Sequence, residues 1–214
     1  MLQSNKPIAA IGYGELGSQI RNLLLQTHKR DIQHFFDDIL FEDGESKSSP
    51  FKAYKDNLED YEFVVCLGYN NLELKSSILS ELKANNSIFS SVIHNSSNVS
   101  ESAIIEEGVV IYPGAIIDKM VVIKPGCIIN NGVVVSHNSV ISESCYLSPG
   151  VILSGEVKIE KNTFIGAGSI VSNGIHIGEN CRIGIGSVIT KNIPRNTSVI
   201  GNPMRILSKK LTLN

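Results

Sequence analysis

Every sixth residue from Ile93 to Ile189 is Ile, Leu or Val, seventeen positions without an exception. If about one residue in three were of these types, chance would give such a run about once in 10⁸ trials. The residue two before each is Ser, Ala, Val, Cys, Thr or Ile, and the residue three after is dominated by Gly, Asn and Ser, the formers of tight turns. This is the hexapeptide β-helix repeat: each hexad makes one short strand and one turn, and three hexads make a triangular coil of about 18 residues that stacks on the next by parallel pairing. The aliphatic series fills the prism and the small residue shares the interior beside it. The run predicts roughly five coils, and no hexad carries an insertion. Open ends of such a stack need cover; the segment before it and Ile200–Leu213 are expected to supply it. Cys127, Cys145 and Cys181 fall on one inward column with Thr163 between them. Cys there serves as a small hydrophobe, not as a metal ligand.

Residues 1–88 follow another grammar. Pro7–Ile11, Asp31–Phe36 and Glu62–Leu67 read as strands, and Ser18–Gln26 and Leu72–Lys83 as helices. The helices present Ile20, Leu23 and Leu24 on one face, and Leu74, Ile78 and Leu82 on the other's. The β-α-β…β-α order indicates a small parallel α/β unit, with Asp43–Pro50 as a surface loop. The fold class expected is therefore mainly β: a parallel β-helix over 89–194 preceded by a small Rossmann-like α/β domain over 1–88, with a tail over 195–214.

Charge and hydropathy narrow the function classes. A formal charge of −2 and 42% hydrophobic residues describe a globular chain with no general basic field for nucleic acid or anionic membrane. No apolar run approaches the ~18 residues of a membrane span. The first residues lack a signal-peptide core, so a cytoplasmic protein with free thiols is expected.

Few residues can carry chemistry. His137 lies two residues after the inward Val135 and just before a turn Asn, near a prism corner; it is either a plain surface histidine or a general base. One coil later the stacked residue is Gly155, which leaves room for a ligand on the wall; one coil earlier it is Lys119. Asn130 and Asn131 form the preceding turn, and are either turn formers or aids to the acceptor. Gly12, Gly14 and Gly17 spell GxGxxG between a strand and a helix, with Asp37 twenty residues on. The spacing mimics a dinucleotide fingerprint, but the unit has room for only one mononucleotide-binding half. A glycine turn at a helix N-terminus suits a single diphosphate. His94, His137 and His176 stand at spacings of 43 and 39, neither a multiple of the coil, so no metal site is expected.

The whole layout resembles sugar acyltransferases of the sialic-acid O-acetyltransferase type. Within them it is most similar to bacterial N-acetyltransferases acting on nucleotide-linked 4-amino dideoxy sugars. The markers are Phe36-Asp37-Asp38, the run Val64–Asn71, Val92–His94, Ile129–Asn131, Ser136-His137, Leu153–Gly155 and Val199–Pro203. The resemblance implies a homotrimer of left-handed β-helices with sites between neighbouring prisms. It implies His137 as base, assisted by Asn130, and acetyl-CoA along the wall near Gly155, Gly166 and Ala167. It also implies a dTDP- or UDP-linked sugar, an intermediate of surface glycan (O-antigen) synthesis, held by the α/β unit. The residues matching that role are Gly12, Gly14, Gly17, Asp37, Asp38 and Asn70.

Three departures stand out. Asn138 replaces the acidic residue that often follows the histidine. Glu15 stands where a histidine is usual in the glycine loop, and Tyr146 replaces a second histidine of the bacillosamine enzyme. They point away from that particular substrate. Two other readings stay open: O-acetylation of sialic or related sugar acids, and a non-catalytic solenoid that binds sugar nucleotides.

Overall fold

A computed structural model describes residues 6–207, and the chain divides into two units, Met1–Val92 and Ile93–Asn214. The first unit contains β1 (Ile8–Ile11), α1 (Glu15–Thr27), β2 (Ile32–Phe36), α2 (Asp38–Glu42), β3 (Ser48–Ser49), β4 (Glu62–Val65), α3 (Leu72–Ala84) and β5 (Ile88–Phe89). Its sheet is five-stranded and parallel, in the order β3-β2-β1-β4-β5. The central β1 is buried along its whole length, which is why it reads as an unbroken apolar run and not as an alternation. The segment 43–50 is not wholly loop, because Ser48 and Ser49 pair with Phe35 and Phe36 at the sheet edge. At two residues each, β3 and β5 are too short to give a periodic signal.

The helices bury the expected kind of face. In α1, Ile20, Leu23 and Leu24 are buried. In α3 the core stripe is Lys75, Ile78, Leu79 and Leu82, with Leu72 before it, while Leu74 is 45% exposed. The spacing from Leu74 to Ile78 is helical, but the buried positions follow i, i+3, i+4, i+7 from residue 75, and Leu74 is rotated one residue off that stripe. Among the described residues no helix is long and apolar enough to cross a membrane.

In the second unit, seventeen two-residue strands run from Val92–Ile93 to Val188–Ile189. They stack into three parallel sheets, called here the first, second and third faces, containing Ile129, Val135 and Ile141 respectively. Register is eighteen residues throughout, for example Val134 on Ile152 and Val140 on Lys158. The coils number six where five were expected. The sixth is closed by Ile193, which bridges Ile177, and Val199 then pairs with Ile183 at a spacing of sixteen. The last coil is thus two residues shorter, and the six-residue count stops at Ile189, one strand before the coil closes. The cap expected over Ile200–Leu213 has an antiparallel start, Ile206 on Val199; residues 208–214 lie outside the described residues.

The corners explain the turn residues. All fourteen turn positions from Gly108 to Gly186 have φ between 56° and 71°. Eight are Gly, which adopts this conformation freely, and three of the other six are Asn, the L-residue that tolerates it best. Inside, the aliphatic series and its small neighbours form one core at close to zero exposure. The small residues also satisfy backbone. Cys127, Cys145, Thr163 and Ser169 each donate to a carbonyl fifteen residues on, at 3.0, 3.1, 2.9 and 3.0 Å. Leaving such a buried carbonyl unpaired would cost about 1–3 kcal/mol. Burial pushes the Cys145 thiol well up, so that thiol is a neutral donor.

Candidate active site

The carboxyl ends of β1, β2 and β4 gather the residues expected to hold a nucleotide sugar: the loop from Gly12, the pair Asp37 and Asp38, and Asn70. In parallel α/β sheets ligands bind at this edge, at the point where strand order reverses. Here β1 leads to β2 on one side and pairs with β4 on the other. The three glycines have three reasons. Gly12 has φ +77°, and a Cβ there would meet the Leu67 side chain at 2.9 Å. Gly17 lies against the Tyr13 ring, which a Cβ would approach to 2.7 Å. Gly14 alone faces open space, at the N-cap of α1, where backbone N–H groups are unpaired and suit an anion.

The two aspartates are already engaged. Asp37 Oδ2 accepts the Tyr13 N–H at 2.7 Å, and its Oδ1 caps α2 by accepting from Ile39 and Leu40, both at 3.1 Å. Asp38 Oδ1 accepts the Phe51 N–H at 2.8 Å. Both carboxylates therefore brace the edge. Asn70 is exposed, in the 3₁₀ turn before α3.

On the solenoid, the corner joining the second and third faces carries one vertical column: Lys119, His137, Gly155, Asn173. Main-chain bonds tie its levels together, Asn138 N–H to Lys119 O at 3.1 Å and Glu156 N–H to His137 O at 2.9 Å. His137 is half-buried and Gly155 is buried. A Cβ on Gly155 would stand 2.5 Å from both Cε1 and Nε2 of His137 and 3.0 Å from Asn173 Oδ1. The imidazole thus lies down onto the glycine, whose missing side chain is the ring's floor. Among the described residues the Gly155 N–H has no hydrogen-bond acceptor.

Asn130, Gly166 and Ala167 belong to a different corner, the one joining the first and second faces. Asn130 is buried; its Nδ2 donates to the Tyr146 hydroxyl at 3.0 Å and its Oδ1 accepts the Asn131 N–H at 3.0 Å. Gly166 is required by its own fold, since a Cβ would stand 2.6 Å from Ile185 N. Within one prism the candidate base and these residues are separated by the width of the second face. That face is a stripe of Ile116, Val134, Ile152, Ile170 and Val188, with Ile116, Ile152 and Ile170 between 40% and 46% exposed.

Asn173 was not a candidate from sequence. The signal was present, since it lies two coils of eighteen after His137, but the column beyond Gly155 was not followed. Tyr146 stood out only as a departure, and the structure pairs it with Asn130. His176 is exposed, with its Nε2 at hydrogen-bond distance, 3.0 Å, from Glu160 Oε1. Among the described residues no three His, Cys, Asp or Glu side chains could share a metal.

Comparison with known proteins supplies the context. Residues 111–213 match the family described as the GMPPB C-terminal domain, a little under half of the chain. No curated protein matches. Among solved structures, PerB from Caulobacter crescentus in complex with CoA and GDP-perosamine is 25% identical, with TM-score 0.86, covering 96% of this chain and 99% of that one. A mutant of perosamine N-acetyltransferase from the same organism, in complex with the same ligands, is 24% identical with TM-score 0.87 and the same coverage. The acetyltransferase domain of PglB from Neisseria gonorrhoeae FA1090, in complex with acetyl coenzyme A, is 25% identical with TM-score 0.82, covering 95% and 100%. The likeness covers 95% or more of this chain, so it takes in the α/β unit as well as the repeat.

Proposed function

We propose that this chain is an acetyl-CoA-dependent acyltransferase that N-acetylates the 4-amino group of a nucleotide-linked amino-dideoxy sugar. The observation that carries the reading is the half-buried His137 lying on a side-chain-free Gly155, in a chain that shares its length and fold with acetyltransferases solved with CoA or acetyl-CoA.

The chemistry follows from the column. The sugar amine attacks the thioester carbonyl carbon while the imidazole of His137 removes its proton. The Gly155 N–H donates to the oxygen as it becomes an oxyanion. Collapse breaks the C–S bond, and the imidazolium returns the proton to the departing thiolate. Acetyl passes directly between two bound substrates, so no acyl-enzyme is required. In the α/β unit the helix N-terminus behind Gly14 takes the diphosphate. The free oxygen of Asp38 and the amide of Asn70 serve the rest of the nucleotide, and Asp37 braces them.

A site that uses both His137 and the opposite corner of Asn130, Gly166 and Ala167 needs two copies of the prism. Packing the apolar second face in a closed ring of three, with left-handed coiling, brings one copy's His137 corner against the next copy's Asn130 corner. The nucleotide is dTDP or UDP on the resemblance, and the Caulobacter complex adds GDP to the candidates.

The test is thiol release from acetyl-CoA with dTDP-, UDP- and GDP-linked 4-amino-4,6-dideoxy sugars and free sialic acid. Turnover with one nucleotide amino sugar, falling about 10²–10⁴-fold in His137→Ala, is the expected result. Turnover only with sialic acid would replace the reading with O-acetylation. Nucleotide binding without thiol release would replace it with a non-catalytic solenoid.

A further inference from the structure

Two polar side chains reach toward Gly155 from opposite directions. The Cε1–Nε2 edge of His137 comes from the coil above, and the Oδ1 of Asn173 comes from the coil below. Both lie within 3.0 Å of the single point that a Cβ on Gly155 would occupy. Asn173 is exposed and has no other hydrogen bond among the described residues, so its amide is free to meet a ligand. The imidazole of a general base must offer a lone pair, and an amide oxygen is always an acceptor. The column therefore presents two acceptors that converge on Gly155 from either side.

That arrangement distinguishes nucleophiles. A sugar amine carries at least two N–H groups. It can give one proton to His137 while the other is held by Asn173, which also turns the nitrogen lone pair toward the thioester carbon. A sugar hydroxyl carries one proton. If His137 takes it, Asn173 faces the hydroxyl oxygen, an acceptor opposed to an acceptor. Bound substrates cover Asn173, and a site built to bind a second N–H then discriminates against the analogue lacking it, because the amide oxygen has neither that donor nor water.

We propose that Asn173 is the specificity-determining residue that makes this site select amines over hydroxyls, by accepting the second N–H of the attacking group. This rests on the acyltransferase reading above and deepens it. The charges nearest the column are Lys119 above His137 and Glu156 beside Gly155, and neither replaces the amide oxygen's position at the glycine floor.

The experiment measures kcat/KM for a 4-amino sugar nucleotide and for its 4-hydroxy counterpart in wild type, Asn173→Ala and Asn173→Asp. The KM for acetyl-CoA is followed alongside. Expected is a fall of about tenfold or more in the amine-to-hydroxyl ratio in Asn173→Ala. Asn173→Asp, which keeps an acceptor, should retain the ratio, and the acetyl-CoA KM should stay unchanged in both. General damage would lower both substrates together and leave the ratio intact. A wild type that prefers the amine with a ratio unmoved in Asn173→Ala overturns this proposal and leaves the N-acetyltransferase reading standing. A wild type that acetylates only the hydroxy sugar, or neither, overturns both.

Discussion

The α/β unit and the prism solve the same problem, burying apolar side chains while pairing backbone groups, at opposite levels of specification. In the prism one rule repeats. An aliphatic residue points in, a smaller one sits beside it, a left-handed corner follows, and the next coil lands eighteen residues on. In the α/β unit each contact is individual. Asp37 holds both the glycine loop and the start of α2, Arg21 forks onto Asp31 at 2.6 and 2.8 Å, and Tyr54 donates to Glu81 at 2.8 Å. The difference teaches where to look for function. In a uniform wall, a candidate site shows as a break in the column, such as a histidine above a glycine. In an irregular unit a polar residue is more often structural, as Asp37 is with both its oxygens engaged.

The largest effect that would test this contrast is a cavity in the wall. Leu147→Ala, fully buried, should lower stability by about 2–5 kcal/mol in thermal or denaturant unfolding. The exposed Leu74→Ala should stay within about 0.5 kcal/mol. A prism insensitive to Leu147→Ala would break the idea that the repeat is its core.

A sharper comparison sets the two wall glycines against each other. Gly155→Ala meets a side chain, the His137 ring, so it should displace the imidazole and cut kcat by about tenfold or more with little change in Tm. Gly166→Ala meets the backbone of the next coil and should lower Tm. Equal behaviour in both assays would remove the distinction between a glycine kept for a ring and one kept for stacking.

In the α/β unit, Asp37→Ala should cost about 0.5–2 kcal/mol through the lost cap, read by denaturation. The cost should be larger than for Asp38→Ala, which gives up one backbone bond instead of three.

The smallest effect is a pH dependence. Burial lowers the imidazole pKa of His28 and His34 from 6.5 in the folded unit. The unfolded chain therefore binds more protons as pH falls through 6.5. The stability these groups support is full above that value and declines below it, until the folded imidazoles protonate as well. Unfolding at pH 7.5 and pH 5.5, in wild type and in His28→Gln with His34→Gln, should show the dependence shrink in the double variant.

The prism was almost fully legible because its physics is periodic. A six-residue spacing of aliphatics has no other good solution, and the turn residues announce the corners. What escaped was where period gave way. The coil closed by Ile193 is two residues short, so counting sixes ended one strand before that coil closes. The donor role of Cys127, Thr163 and Ser169 was hidden because smallness alone explained them. In the α/β unit, Leu74 was misplaced by a spacing that is right for a helix but belongs to the wrong stripe. The glycine loop and Asp37 were legible as a pattern, yet the pattern did not show that both carboxylate oxygens were spoken for. At the site, His137 and Gly155 could be paired by arithmetic. The same arithmetic reaches Asn173, and the tilt of the imidazole shows that the column faces it.

The unbroken eighteen-residue register gives the wall a unit of length. Each coil adds about 4.8 Å, and adding or deleting a whole coil leaves every corner column in phase, so the distance from the imidazole to the end of the wall can change only in discrete steps. Such a prism works as a ruler graduated in coils. A lineage could refit the same column to longer or shorter ligands by moving the end stop, without touching the residues proposed for the chemistry.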